Sequence, residues 1–140
     1  MLIGPGQGGD SPMLPALLAA LKVPRGGPGR PRTTPTALLG DKAYSSRATR
    51  AVLRARGITA VIAEPADQTG NRKRRGSKGG RPPAFDAERY RDRKVVERAY
   101  NALKQWRGLA TRYDKLALTY RAGLLIRAAV MWLQALGDTP

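Results

Sequence analysis

Two carboxylates, Asp41 and Glu97, are the side chains best placed to do chemistry in this sequence. The chain contains no histidine and no cysteine, which removes the usual general base, Ser-His triads and cysteine-ligated zinc. Carboxylate oxygens are instead the ligands that hard cations such as Mg²⁺ prefer. Two carboxylates on separate elements can share a divalent ion, and two-metal sites support in-line displacement at phosphorus.

Each carboxylate also has a commoner explanation. Asp41 follows a short apolar run, where Asp often serves as a turn or cap residue. Glu97 lies four residues after Arg93, the spacing of an ordinary ion pair along a helix. A metal site of this kind normally needs a third carboxylate, and six further acidic residues read as caps, turn residues or solvated helix charges. The candidates explained in this way are Asp10, Asp67, Asp86, Glu88, Asp92 and Asp114.

Glu97 falls in a segment, residues 86–107, that the hydrophobic periodicity predicts to be one helix. At about 100° per residue, four polar side chains share an arc about 60° wide. These four are Tyr90, Arg93, Glu97 and Lys104. The side chains on the opposite side are apolar and predict the packed face. They are Val95, Val96, Ala99 and Leu103. One carboxylate among cations and a phenol suits phosphate and a metal ion, and it equally suits a solvated helix face.

Asp41 is positioned by a predicted strand–helix–strand unit. Residues 36–40 form a short apolar run that predicts a buried strand, and the β-branched residues of 58–63 predict a second. Ser45 or Ser46 is expected to cap the helix between them. Such units give parallel strands with a right-handed crossover. Asp41 therefore follows the carboxyl end of a strand, where ligands gather in open α/β sheets.

Helices are also expected near both ends of the chain. Asp10 and Ser11 can cap a helix close to the start, and a last helix is predicted over residues 114–136. Trp106 and Trp132 are expected to pack in the core. The competing use of Trp106 is to stack on a base.

The charge balance favours a polyanionic partner. The formal net charge is +16, from 26 Lys and Arg against 10 Asp and Glu, and nucleic acid is the default partner for such a chain. A membrane is not expected, because Arg121 and Arg127 interrupt the one long apolar segment and no lipidation motif is present. Residues 64–83 are predicted to be a basic flexible loop that contacts the DNA backbone without reading its sequence. Its cations are Arg72, Lys73, Arg74, Arg75, Lys78 and Arg81.

The spacing Tyr90-x2-Arg93-x3-Glu97-x6-Lys104 resembles the Y-R-E-K signature of bacterial insertion-sequence transposases of the DDE type. D-K-A-Y, starting at Asp41, resembles the motif around that family's second aspartate. Further segments are similar to one branch of the family: G-Q-x-x-D-S-P-M-L, L-L-G-D-K-A-Y-S-S-R-A, R-G-S-K-G-G-R-P-P-A-F-D, V-V-E-R and L-K-Q-W-R-G-L-A-T-R-Y-D-K. The resemblance extends from about residue 4 to residue 136.

The resemblance implies an RNase H-like α/β fold and a site in which two Asp and one Glu hold two Mg²⁺ ions for DNA cleavage and strand transfer. Asp41 then corresponds to the second metal ligand and Glu97 to the third. Arg93 and Lys104 correspond to positions that contact transposon-end DNA, and Tyr90 to the signature tyrosine that acts on DNA.

The first aspartate of the family lies on a strand upstream of the G-Q-x-x-D segment, and this sequence does not contain it. We therefore expect residues 1–140 to form a single partial catalytic domain. The predicted fold is an incomplete RNase H-like fold, with two or three strands, packed helices and two long carboxyl-terminal helices. The strand before Asp41 would then have an unpaired edge.

The sequence thus predicts the C-terminal part of a DDE transposase that does not cleave DNA alone, acting in the bacterial cytoplasm and nucleoid. Its expected partners are transposon-end DNA and either an N-terminal half or a full-length transposase. The alternatives are a small basic nucleic-acid-binding protein without catalytic ancestry and a regulator of full-length transposase. A transposase should bring Asp41 and Glu97 to within roughly 4–7 Å of each other, the reach of one shared metal ion.

Overall fold

A computed structural model describes residues 2–4, 8–111 and 113–137. The chain divides into two compact units. The amino-terminal unit comprises Gly6–Arg93, and the carboxyl-terminal unit comprises Lys94–Pro140 together with Met1–Pro5. Strands occur only in the amino-terminal unit among the described residues, so the architecture is mixed α/β with a small sheet.

The first helix, α1, spans Leu14–Ala20 and follows a 3₁₀ turn at Ser11–Met13. Asp10 precedes this turn, as the capping pattern predicts, but its side chain makes no capping hydrogen bond. Leu14 and Leu18, four residues apart, fall on one face of α1 and are buried.

The predicted strand–helix–strand unit is confirmed. Strand β1 spans Ala37–Gly40, helix α2 spans Arg47–Ala55 and strand β2 spans Thr59–Ile62. The strands are parallel, with Ala37 opposite Thr59 and Gly40 opposite Ile62. Ser46 caps α2, since its Oγ accepts from the N–H of Thr49 at 3.0 Å. Gly57 ends the helical turn with φ of 67°, a conformation that glycine adopts without steric cost.

The core of the amino-terminal unit forms where α1 and α2 pack on the sheet. Its buried members are Leu14, Leu18, Leu53, Ile58 and Ile62, with Leu38, Tyr44 and Ala60 packed against them. Each fully buried aliphatic side chain contributes roughly 1.5–3 kcal/mol by leaving water. This core holds the carboxyl ends of both strands in place.

The segment predicted to be a basic flexible loop is largely helical. Helix α3 spans Ala66–Arg74, and a 3₁₀ turn follows at Gly76–Gly79. Its sequence has no apolar periodicity, so helix formation depends on contacts with other segments. Pro65 precedes the first turn, Asp67 lies within it, and three cations lie in the last turn. Negative charge near the start of a helix and positive charge near its end both interact favourably with the helix dipole and stabilise the helix.

The single helix predicted over residues 86–107 is wrong, because the chain forms two helices there. Helix α4 spans Ala87–Arg91 and helix α5 spans Lys94–Lys104. Between them the N–H groups of Asp92 and Arg93 donate to the carbonyls three residues earlier, at 3.2 Å each. Residues 91–94 are all charged, so no apolar side chain packs to hold a regular α-helical turn there.

The carboxyl-terminal unit contains α5, α6 at Arg107–Thr111 and α7 at Ala117–Leu136. The predicted last helix is confirmed, and Gly137 closes it in the left-handed conformation with φ of 78°. Leu109 of α6 is buried, and its carbonyl accepts a hydrogen bond from the Tyr120 hydroxyl of α7 at 3.2 Å.

The prediction that Trp106 and Trp132 pack in the core is wrong. Trp106 is 41% exposed and Trp132 is 71% exposed. Trp106 falls between α5 and α6, and Trp132 lies near the end of α7 with most of its side chain exposed. An apolar residue type does not by itself specify which face of a helix is buried.

Candidate functional site

Asp41 lies at the carboxyl end of β1, directly after the last ladder pair of the sheet, Gly40 and Ile62. Its side chain is exposed. One carboxylate oxygen accepts a hydrogen bond from the N–H of Lys42 at 2.6 Å and thereby caps the 3₁₀ turn Lys42–Tyr44. Asp41 is therefore both a capping residue and an accessible carboxylate at the edge of the sheet where ligands bind.

Gly40 sets the path of the chain into Asp41. A Cβ at this position would lie 3.2 Å from Ile62 Cγ1, 3.3 Å from Leu38 Cδ2 and 3.4 Å from Tyr44 Cβ. The strand and the following turn thus approach so closely that a Cβ would require its neighbours to shift by a few tenths of an ångström, which favours a glycine at the end of this strand. The close packing holds the turn that carries Asp41.

A hydrogen-bonded network supports the same edge of the sheet. Arg50 of α2 donates through Nη2 to the Ile62 carbonyl at 2.8 Å and to Ser45 Oγ at 3.1 Å. Gln68 of α3 donates to the Ser45 carbonyl at 2.8 Å and accepts from Ser45 Oγ at 3.2 Å. The buried Ser45 therefore joins α2, the turn after β1 and α3.

A second carboxylate, Glu64, lies at this edge, and it was not among the residues predicted from the sequence. Glu64 follows β2 by two residues and accepts from Arg72 Nη1 through both of its oxygens, at 2.5 Å each. Both side chains are 19% exposed. The sequence signal for Glu64 was its position shortly after a strand. Its partner on α3, Arg72, is apparent only from the structure.

The basic segment, defined as residues 72–81, contains all six cations of the predicted DNA-binding loop. Arg72 is paired with Glu64 and half-buried. The other five cations are exposed: Lys73, Arg74, Arg75, Lys78 and Arg81. Gly79 allows the segment to fold back, because a Cβ there would overlap the carbonyl oxygen of Arg72. Five charges thus remain accessible on a folded scaffold.

Tyr44 lies between the core and the carboxylates of this edge. Burial raises the pKa of its hydroxyl, and the charges of Asp10 and Asp41 raise it further. A raised tyrosine pKa means that the folded protein holds this proton more tightly than the unfolded chain does. The protein therefore gains no stability from ionising Tyr44.

We expect the free energy of unfolding to fall as the pH rises above about 10, the ordinary tyrosine pKa. There the unfolded chain releases the Tyr44 proton while the folded chain retains it, which favours unfolding. Urea denaturation of the chain and of Tyr44→Phe between pH 8 and 11 measures the difference. The phenylalanine variant should lose less stability over that range, and parallel curves for the two proteins would contradict the assignment.

Tyr90 and Arg93, two of the four residues predicted from the Y-R-E-K spacing, interact within the amino-terminal unit. The guanidinium carbon of Arg93 lies 5.5 Å from the centre of the Tyr90 ring, a cation–π distance. The Phe85 ring contacts Tyr90 edge-on, with 5.2 Å between ring centres and 61° between ring planes. Asp86 caps α4 through a hydrogen bond from the N–H of Arg89 at 3.0 Å. These contacts fix the Tyr90 ring beside Phe85 and Arg93.

Glu97 and Lys104, the other two residues predicted from the Y-R-E-K spacing, belong to the carboxyl-terminal unit. Glu97 lies in the first turn of α5 and is exposed; a carboxylate there also stabilises the helix dipole. Lys104 lies in the last turn of α5, with its ammonium 4.9 Å from the centre of the Tyr100 ring. The four positions therefore do not share one continuous helix, although each lies in or beside a helical turn.

Asp41 and Glu97 belong to different units, so their predicted convergence within 4–7 Å stays a prediction. Among residues 2–4, 8–111 and 113–137, no three acidic, histidine or cysteine side chains are grouped so that they could hold a metal ion. The donor set is nevertheless the right type for Mg²⁺, because both candidate ligands are exposed carboxylates.

The comparisons with known proteins identify the family. The family model described as the transposase DDE domain matches residues 1–132. The chain belongs to the DDE transposase family. No curated protein and no solved structure gives a significant match. Membership of this family confirms the transposase resemblance and the function in DNA transposition, and the alternative of a small basic protein without catalytic ancestry is not favoured.

The α/β architecture agrees with a partial RNase H-like transposase domain. Its two strands are β1 and β2 in the part of the chain that the structure describes. Within residues 2–4, 8–111 and 113–137, no helix is both long enough and apolar enough to span a bilayer.

Proposed function

We propose that Asp41 and Glu97 are the second and third metal ligands of a Mg²⁺-dependent transposase site that cuts and joins DNA at transposon ends. The main support is the position of Asp41, an exposed carboxylate directly after a parallel strand of a DDE domain. Glu97 matches the glutamate of the Y-R-E-K spacing and is also exposed. The third member of the set in this family is the first aspartate.

The metal ions would activate a water or a 3′-hydroxyl for in-line attack on a phosphodiester. The chain's own residues would position the DNA for that step. Arg93 and Lys104 carry the charges expected to contact the transposon end, and the Tyr90 phenol is held between Phe85 and Arg93 for a contact with the DNA. The five exposed cations of the basic segment would bind backbone phosphates.

Metal binding tests the ligand assignment without requiring activity. Titration with Mn²⁺, followed by electron paramagnetic resonance, should show an affinity about tenfold or more weaker for Asp41→Asn with Glu97→Gln than for the unchanged chain. Asp67→Asn with Glu88→Gln removes the same charge from two exposed positions and serves as the control. Equal affinities for the two double variants would argue against Asp41 and Glu97 as ligands.

We further propose that the chain alone does not cleave DNA, because it supplies two of the three carboxylates that the family uses. Incubation of the chain with a supercoiled plasmid or with transposon-end DNA, in Mg²⁺ or Mn²⁺, should leave the DNA intact. Nicking that disappears in Asp41→Ala would overturn this. An N-terminal half or a full-length transposase would supply the first aspartate. Cleavage and joining of DNA would then take place in the bacterial cytoplasm, on DNA of the nucleoid.

A further inference from the structure

A loop of the amino-terminal unit, between α1 and β1, is built from only three residue types. Val23 and Arg32 close it with two backbone hydrogen bonds, since the N–H of each donates to the carbonyl of the other at 2.9 Å. The eight residues between them, 24–31, read P-R-G-G-P-G-R-P, and all of them are exposed. This segment is named the arginine loop, because Arg25 and Arg30 carry its only polar side chains.

The two arginines occupy matching positions on the two arms of the loop. Each lies two residues inward from the Val23–Arg32 pair, with a proline on one side and a glycine on the other. The Arg25 side chain crosses to the opposite arm, since its Cδ lies 3.8 Å and its Nη1 3.9 Å from the place of a Cβ on Gly29. Arg25 therefore ends beside the backbone that carries Arg30.

No carboxylate balances these charges nearby in the sequence. Residues 11–40 contain no acidic residue and four cations: Lys22, Arg25, Arg30 and Arg32. Within residues 2–4, 8–111 and 113–137, neither Arg25 nor Arg30 donates a hydrogen bond or forms an ion pair. Like charges at facing positions repel each other, so an anionic partner that binds between the two arms relieves this repulsion.

We propose that the arginine loop inserts Arg25 and Arg30 into the minor groove of A·T-rich DNA. A-tracts have a narrow minor groove with an enhanced negative potential, which attracts inserted arginine side chains. Glycine and proline keep the loop slim around the two arginines, whereas a helix or a two-stranded ribbon needs the wider major groove. A guanidinium is also more weakly hydrated than an ammonium, so it loses less on leaving water.

The arginine loop is fixed to the strand that leads to Asp41. Arg32 donates through Nε to the Thr34 carbonyl at 3.1 Å and through Nη2 to the Thr36 hydroxyl, and β1 begins at the next residue. Asp41 follows the other end of β1, about 13 Å away along four residues of strand. With DNA as the partner, which rests on the proposed function, the loop adds a preference for groove shape to the phosphate contacts of the basic segment.

Fluorescence anisotropy with two labelled duplexes of equal length tests this preference. One duplex contains an A-tract and the other only G·C pairs, so both present the same number of phosphates. The unchanged chain should bind the A-tract duplex at least about fivefold more tightly, the lower end of the discrimination typical of one altered base pair. The ratio of the two affinities should not depend on salt, because both duplexes release the same number of counterions.

Replacing both arginines by lysine separates groove insertion from phosphate contact. Arg25→Lys with Arg30→Lys keeps the net charge of +16, so the affinity for the G·C duplex and the salt slope should not change. The preference for the A-tract should fall below about twofold, because the ammonium is more strongly hydrated. Arg54→Lys with Arg56→Lys makes the same change at exposed positions on and after α2, and this control should keep the preference.

Three results would overturn the proposal: equal binding of the two duplexes, tighter binding of the G·C duplex, or an A-tract preference that survives in Arg25→Lys with Arg30→Lys. Equal binding indicates contact with phosphates alone, and tighter G·C binding indicates that arginine reads guanine in the major groove. Each of these results leaves the metal site proposed for Asp41 and Glu97 intact. A chain that binds neither duplex contradicts both the role of the loop and the DNA partner itself.

Discussion

Replacing the five exposed cations of the basic segment by glutamine should weaken DNA binding by up to about 10⁴-fold at 0.1 M salt. The five are Lys73, Arg74, Arg75, Lys78 and Arg81. Each phosphate contact releases counterions, so five contacts account for a slope of about −4.5 in a plot of log affinity against log salt concentration. The substitutions lower the net charge from +16 to +11. Fluorescence anisotropy with a labelled duplex, from 0.05 to 0.3 M salt, measures the slope.

Arg72 offers a matched control for this experiment. It belongs to the same segment, but its guanidinium is bound to Glu64 and half-buried. Arg72→Gln should therefore lower stability, because it leaves a partly buried carboxylate without its partner, while leaving the salt slope nearly unchanged. Lys73→Gln should reduce the slope by about 0.9. Equal slopes for these two single variants would show that the Glu64 pairing does not hold Arg72 away from DNA.

Leu53→Ala should have the largest effect on stability, a loss of about 2–5 kcal/mol. Leu53 is fully buried between α2 and the sheet, in contact with the cluster that includes Leu14 and Ile62. Removing the isopropyl group beyond its Cβ leaves a cavity that a small core cannot refill by relaxing. Native domains are stable by only about 5–15 kcal/mol, so the variant should be close to unfolding at room temperature.

Val52, the neighbouring residue on α2, is exposed to 36% and provides the comparison. Val52→Ala should change stability by no more than about 0.5 kcal/mol, as surface substitutions usually do. Urea denaturation followed by circular dichroism at 222 nm measures both. Similar midpoints for the two variants would mean that Leu53 is not the centre of the core.

The strand–helix–strand unit was predictable because its signals are local. A short apolar run marks β1 and β-branched residues mark β2. Ser46 caps α2 with its own hydroxyl, and Gly57 takes the left-handed conformation that ends the helix. Asp41 was placed by the same signals, since it directly follows β1. Each of these features needs only a few consecutive residues, so the sequence alone specifies them.

Two features that were not predicted, helix α3 and the pairing of Glu64, depend on contacts between different elements. Helix α3 lacks an apolar stripe and is held by Gln68 against Ser45 and by Arg72 against Glu64. The interruption between α4 and α5 occurs where only charged residues are available. Glu64 forms an ion pair with Arg72, eight residues later and on another element. No local pattern indicates this pairing.

The close approach of Gly79 to the Arg72 carbonyl has a consequence for the thermodynamics of DNA binding. A disordered basic arm would fold on DNA, and that ordering would appear as a large negative heat-capacity change. The basic segment is already folded before it meets DNA. Calorimetry should therefore find a binding enthalpy that varies little with temperature, with the affinity supplied mainly by the entropy of released counterions.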